Sequence, residues 1–127
     1  MNTIARSLFV QLAVLGLSLL ATAEGSGADA AAGRALFSRC AACHSVSPGV
    51  NKIGPSLAGI MDSKTGIAPG FNFSTAMKNA NVTWDEAALD KFLRSPGRFI
   101  AGTKMVFNVP RAVDRQNLIA YLATLKP

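Results

Sequence analysis

The stretch Cys40-Ala41-Ala42-Cys43-His44 constrains this chain more than any other. On a helix, Cys40 and Cys43 are three residues apart and share one face. His44 is four residues from Cys40 and projects from that face too. Two thiols and an imidazole brought to one side, with small alanines between them, let a helix lie close against a large flat group. C-x-x-C-H is the pattern by which two thiols bond covalently to one porphyrin while the histidine ring binds its iron, and it marks c-type haem attachment.

Other uses of these residue types fit less well. A thiol–disulfide redox pair usually opens a helix within a βαβ pattern, which is not found here. A structural zinc site needs about four ligands, whereas the chain holds two cysteines and one histidine in all, every one of them inside the motif. A plain disulfide leaves His44 without a role.

Ahead of the motif, a short segment with one positive charge, Arg6, precedes an apolar run at 8–20 and then Ala21-Thr22-Ala23. These are the three parts of a secretory signal peptide, with cleavage expected after Ala23. The run is shorter than the roughly 20 residues a bilayer span needs, and an uncleaved N-terminal anchor is the alternative. The expected organisation is a signal peptide at 1–23 and one small domain at 24–127, exported to the periplasm. Without Arg6 there remain twelve basic and seven acidic side chains, a charge of about +5 that suits an acidic partner or an anionic surface. The basic residues are scattered and no recognition motif is present, so nucleic acid is not an expected partner.

Residues 24–29 are small and glycine-rich, and Asp29 is placed to cap a helix. Alanine density and the spacing of Leu36, Phe37, Cys40 and Cys43 predict a first helix over 30–44, with Gly33 inside it marking a close approach by another backbone. From 45 to 73 the chain is punctuated by Pro48-Gly49, Gly54-Pro55, Gly59, Gly66 and Pro69-Gly70. A loop this long is uncommon in a compact domain unless it wraps a rigid object. Ser74 is expected to cap a helix over 75–80. Thr83-Trp84-Asp85-Glu86 has the form of a capping box for a third helix ending near Ser95-Pro96. Another loop follows at 97–112, and then a last helix capped by Asp114 with the stripe Leu118, Ile119, Leu122 and Leu125. No stretch alternates at period two, so no sheet of consequence is expected.

With His44 the only histidine, a second axial histidine is excluded by counting. The remaining possibilities are a methionine, a lysine or an open position. Met77 reads as core packing and Met61 as a wall residue behind Gly59. Met105 sits far from His44 in sequence, on a loop behind Gly102, and is the favoured ligand on pattern.

Taken together, the mature chain resembles the class I cytochromes c of the mitochondrial and bacterial c2 type. The matching features are Gly33 and Phe37 before the C-x-x-C-H stretch, Gly54-Pro55, Lys64-Thr65-Gly66, Ala68-Pro69-Gly70-Phe71, Trp84, Gly102-Thr103-Lys104-Met105 and Leu118-Ile119-Ala120-Tyr121-Leu122. They occur in the family's order over nearly the whole mature chain. The resemblance implies an all-α fold, with four main helices and long loops wrapped around one covalent haem c. It implies thioethers at Cys40 and Cys43 and axial ligation by His44 and Met105. It places Gly33 at the crossing of the first and last helices, with Phe37 near Leu118 and Tyr121. It also gives a haem pocket that includes Pro55, Phe73, Trp84, Phe92 and Thr103. Pro55 would accept a hydrogen bond from the His44 ring, and Trp84 would donate to a haem propionate.

Several positions depart from the family pattern. Ser63 replaces an arginine, Phe73 and Phe92 replace tyrosines, and Met77 replaces an asparagine. Each change removes a polar partner, so the hydrogen-bond network inside the pocket is expected to be sparse. The implied function is single-electron transfer by a monomer. Its partners would be acidic redox proteins and membrane electron-transfer complexes met through Arg39, Lys52, Arg98 and Lys104. A haem peroxidase needs an open axial position and a polar distal group, and a gas sensor needs Met105 to release. Both are the weaker readings.

Overall fold

The computed structural model describes residues 27–127. The expected leader at 1–23, its cleavage point and the first residues after it lie outside the described residues. α1 (Ala30–Leu36) starts where expected: the Asp29 carboxylate accepts from the backbone N–H groups of Ala31 (2.8 Å) and Ala32 (3.1 Å). The Asp29 N–H in turn donates to Asn117 Oδ1 at 2.8 Å, so the cap that opens the first helix is tied to the last.

The first helix is shorter than the 30–44 predicted. Regular α-helix ends at Leu36, Phe37–Arg39 form a 3₁₀ turn, and tight turns continue through Cys43. Successive N–H groups share carbonyls here. Cys40 and Ala41 both donate to Phe37 O, and Cys43 and His44 both donate to Cys40 O, at 2.8–3.0 Å. At three residues per turn, positions i and i+3 stack more directly than in an α-helix, so the tightening brings Cys40 and Cys43 further onto one side.

α2 (Thr75–Asn79) is capped by Ser74, whose Oγ accepts from Met77 N–H at 3.1 Å. α3 (Glu86–Arg94) begins later than the capping box implied, because Asp85 and not Thr83 is the cap, accepting from Ala88 N–H at 2.8 Å. Thr83 is engaged elsewhere. It forms an isolated antiparallel bridge with Lys64, flanked by Thr65 N–H to Val82 O at 2.9 Å and Trp84 N–H to Ser63 O at 2.8 Å. That pairing keeps the backbone extended through Trp84. Among the described residues this bridge is the only β pairing.

A short helix absent from the expectation, α4 (Pro96–Phe99), follows Ser95. Proline at a first helical position loses no bond, since that N–H has no intrahelical partner. The same residue that stops α3 therefore starts α4. α5 (Ala112–Leu122) also differs at its start. Its cap position is Arg111 with no side-chain bond, and Asp114 lies in the first turn, where its charge complements the helix dipole.

α1 and α5 cross at Gly33. A Cβ there would fall 1.9 Å from the Asn117 carbonyl oxygen and 2.9 Å from Tyr121 Cβ, so only glycine lets the helices approach this closely. One turn on, the Phe37 and Tyr121 rings meet with centroids 5.3 Å apart. Leu89, Phe92 and Leu93 of α3 and Leu118, Ile119 and Leu122 of α5 complete the buried core. The all-α arrangement that the resemblance implies is the one seen among the described residues: helices framing a cavity, with long loops forming its other walls.

Candidate haem site

The loop 45–73 and the loop 100–111 face each other across a cavity of about 810 Å³ whose walls are mainly apolar. Cys40, Cys43 and His44 lie on this cavity, and the two cysteines are not joined in a disulfide. The chain folds back immediately after them, with Gly54 N–H donating to Cys43 O at 2.8 Å and Leu57 N–H to Ser45 O at 2.9 Å. This return lays Gly54-Pro55 over the imidazole. His44 Nδ1 donates to the Pro55 carbonyl at 2.7 Å, which leaves Nε2 as the ring nitrogen with a free lone pair. A Cβ on Gly54 would fall 2.4 Å from His44 Cε1, so the glycine is what lets the backbone lie flat on the ring.

Burial pushes the His44 pKa down and outweighs the Pro55 hydrogen bond, which acts the other way. The ring is thereby kept neutral, the form that binds a metal. Burial also pushes the Cys40 thiol up, against the lowering effect of Arg39 and with a further raising effect from Cys43.

Met105 is half-buried and lines the same cavity, as do Thr103 and Lys104. Its loop is tied on the incoming side by Thr103 N–H to Ile100 O at 3.0 Å and by Lys104 Nζ to Asn72 O at 2.9 Å. Of the other two methionines in the described residues, Met77 is a buried wall residue. Met61 packs against the core and does not line the cavity, contrary to its reading as a wall.

Pro55, Phe73, Trp84 and Phe92 all line the cavity. Trp84 and Phe92 meet edge to face with centroids 4.9 Å apart, and Phe73 meets Phe71 in the same way at 4.8 Å. Ser63, standing where the family pattern has an arginine, also reaches the cavity, and its hydroxyl is turned back to the Ile60 carbonyl at 2.7 Å.

The four basic candidates divide. Arg39 and Lys104 line the cavity, and the Arg39 guanidinium stands 5.7 Å over the Phe107 ring. Lys52 does not line it but reaches the attachment turn, donating to Ala41 O at 2.6 Å. Arg98 is separate: it lies on α4 in a surface hollow with Lys91 and Arg94.

Sequence reasoning missed Arg115, which is buried in α5 at 3% exposure. A signal was available. Arg115 is in phase with Leu118 and Leu122 on the helix's apolar stripe, and a lone cation in such a stripe marks a specific buried partner. It also missed the exposed apolar residues Ile53, Val106 and Phe107 at the cavity.

These features fit a haem c. The cavity is large and apolar, the two thiols and the imidazole converge on it, and a thioether is on the same cavity. The cytochrome c family model matches residues 30–126. Cytochrome c2 of Rhodomicrobium vannielii is 42% identical over 118 residues, covering 91% of this chain and 94% of the relative. Cytochrome c2 of Rhodoblastus acidophilus is 45% identical over 100 residues, covering 77% and 94%. Among solved structures, cytochrome cH from Methylobacterium extorquens aligns with a TM-score of 0.71 at 42% identity, covering 76% of this chain and 98% of that one. Cytochrome c2 from Rhodospirillum centenum aligns with a TM-score of 0.74 at 34% identity, covering 78% and 99%. Motif, cavity, fold and relatives agree: the chain belongs to the class I c-type cytochromes, electron carriers with one covalently bound haem c.

Proposed function

We propose that this protein is a soluble monomeric carrier that passes single electrons between redox complexes outside the cytoplasm, with His44 and Met105 as the axial ligands of its iron. When bound, the haem supplies the one-electron iron couple. Cys40 and Cys43 hold the ring through thioethers. The observation that carries the ligand assignment is that His44 and Met105 line one cavity, with Nδ1 of His44 committed to Pro55 and Nε2 left for the metal. With the His44 imidazole and the soft Met105 thioether as its ligands, the iron would favour the reduced state and would have no position left for a substrate.

The walls have complementary roles. Phe73 and Phe92 exclude water and supply no hydrogen bonds. Trp84 would donate its indole N–H to a propionate, and Thr103 orients the incoming arm of the Met105 loop. Arg39 and Lys104 at the cavity, with Lys52 beside the attachment turn, meet an acidic redox partner or the acidic face of a membrane complex. Arg98 extends the positive field from α4. Such encounters are small, about 1,200 Å² or less. The leader ending at Ala23 delivers the chain to the periplasm.

The test is ligand competition on purified haem-loaded protein. Ferric and ferrous spectra with cyanide or carbon monoxide should show slow or absent binding in the wild type and fast binding in Met105→Ala. Fast binding to the wild type would show an open axial position and defeat the carrier reading in favour of a catalyst or a sensor.

A further inference from the structure

The arm of the loop that leaves Met105 has little packing of its own. Val106 is 90% exposed and Phe107 41% exposed. It is caught where it reaches Val109 and Pro110. Val109 N–H donates to Leu93 O at 2.7 Å. Nη1 of Arg115 donates to Val109 O at 3.0 Å and Pro110 O at 2.7 Å, and its Nε donates to Asp90 Oδ1 at 2.6 Å. One buried guanidinium from α5 thus joins an α3 carboxylate to two carbonyls of the loop. Arginine's fixed fork of donors reaches all three at once, which a lysine ammonium on a flexible stem does not reproduce.

We propose that Arg115 is a positioning residue for Met105: held by Asp90, it fixes the Val109 and Pro110 carbonyls and so pins the outgoing arm of the loop that presents Met105 to the cavity. This rests on the reading of Met105 as an axial ligand. Lys104, bonded to Asn72, pins the incoming arm. The loop opens when either hold is released. Burial makes losing the Arg115 hold costly, because breaking it strands a buried cation and the buried Val109 carbonyl.

The experiment compares haem-loaded Arg115→Lys with Ile119→Val, a substitution at a buried α5 neighbour outside this hydrogen-bond set. The readouts are the ferric cyanide association rate and the sulfur-to-iron charge-transfer absorption. Arg115→Lys should speed cyanide binding about tenfold, equivalent to about 1.4 kcal/mol, and weaken the sulfur absorption, while Ile119→Val changes neither beyond its effect on global unfolding. Equal rates in the two variants overturn the proposal. Should Arg115→Lys not mature, Asp90→Asn, which loosens the hold on the guanidinium, is judged by the same outcomes. Met105→Ala is measured in parallel. If it abolishes the sulfur absorption while the Arg115 and Asp90 variants stay normal, only the Arg115 role fails. If the absorption survives in Met105→Ala, the ligand reading fails and takes the Arg115 role with it.

Discussion

Gly54 lies so close to the His44 imidazole that a single added methyl would come within 2.4 Å of Cε1 and 2.7 Å of Nδ1. The same backbone return carries the Pro55 carbonyl to Nδ1, so ring position and ring tautomer are set together. In Gly54→Ala the ring must swing away or the loop must lift. Either movement lengthens the hydrogen bond from Nδ1 to Pro55. The expected cost is about 1–3 kcal/mol of stability, with a lower yield of haem-loaded protein. Denaturant unfolding and pigment yield after export measure both, and a variant equal to wild type in each would contradict the close packing.

Gly33 is the corresponding contact between the helices, and it is more severe. The obstacle to a side chain is the Asn117 carbonyl at 1.9 Å, a backbone atom that no rotamer change can move. Alanine has the higher helix propensity by about 1 kcal/mol, so propensity alone predicts that Gly33→Ala stabilises. The crossing predicts the reverse, a loss of about 3 kcal/mol or more as α1 and α5 separate and the Phe37–Tyr121 contact opens. The sign of the shift in the urea midpoint decides between them.

A pH dependence follows from His44. Its folded pKa is lowered by burial, while the unfolded chain takes up the proton near pH 6.5. The contribution is complete above about pH 6.5 and is lost as pH falls from there through the lower folded value, at up to about 1.4 kcal/mol per unit. His44 is the only histidine, so no other side chain of ordinary pKa titrates in the upper part of this window. Unfolding free energies of the chain with no iron at Nε2, measured between pH 7 and pH 5, should fall with acid. A flat profile would mean that the folded ring protonates as readily as the unfolded one.

Much of the site was legible before the fold. Cys40, Cys43 and His44 announce themselves by spacing, and Gly33 by standing inside a helical run. What was illegible depends on partners distant in the chain. Thr83 has the form of a cap, but Lys64, far back in the first loop, draws it into a bridge and hands the cap to Asp85. Pro96 reads as a stop signal and is also a start signal, and four residues of α4 are too few to show a period. Arg115 looks like one more basic residue until Asp90, Val109 and Pro110 converge on it. Local patterns report local structure; a residue whose role is set by three separate segments leaves only the faint sign of a charge in an apolar stripe.

Arg39 and Arg98 carry the same charge on different parts of the molecule, and this separates steering at the site from the effect of net charge. Arg39 lines the cavity and stands 5.7 Å over Phe107; Arg98 lies in the hollow of α4 with Lys91 and Arg94. Charge reversal at either position changes the net charge equally. If an acidic partner docks over the cavity, the attraction is felt within about 10 Å at moderate salt, so Arg39→Glu should slow association by about tenfold and Arg98→Glu by much less. The loss of the cation–aromatic contact at Phe107 is controlled by Arg39→Gln, which removes the contact but only half of the charge change. Stopped-flow electron transfer to an acidic redox partner, repeated across ionic strength, gives the measurement. The two reversals should converge on the wild-type rate as salt rises, and equal slowing by both would place the docking face nearer to α4.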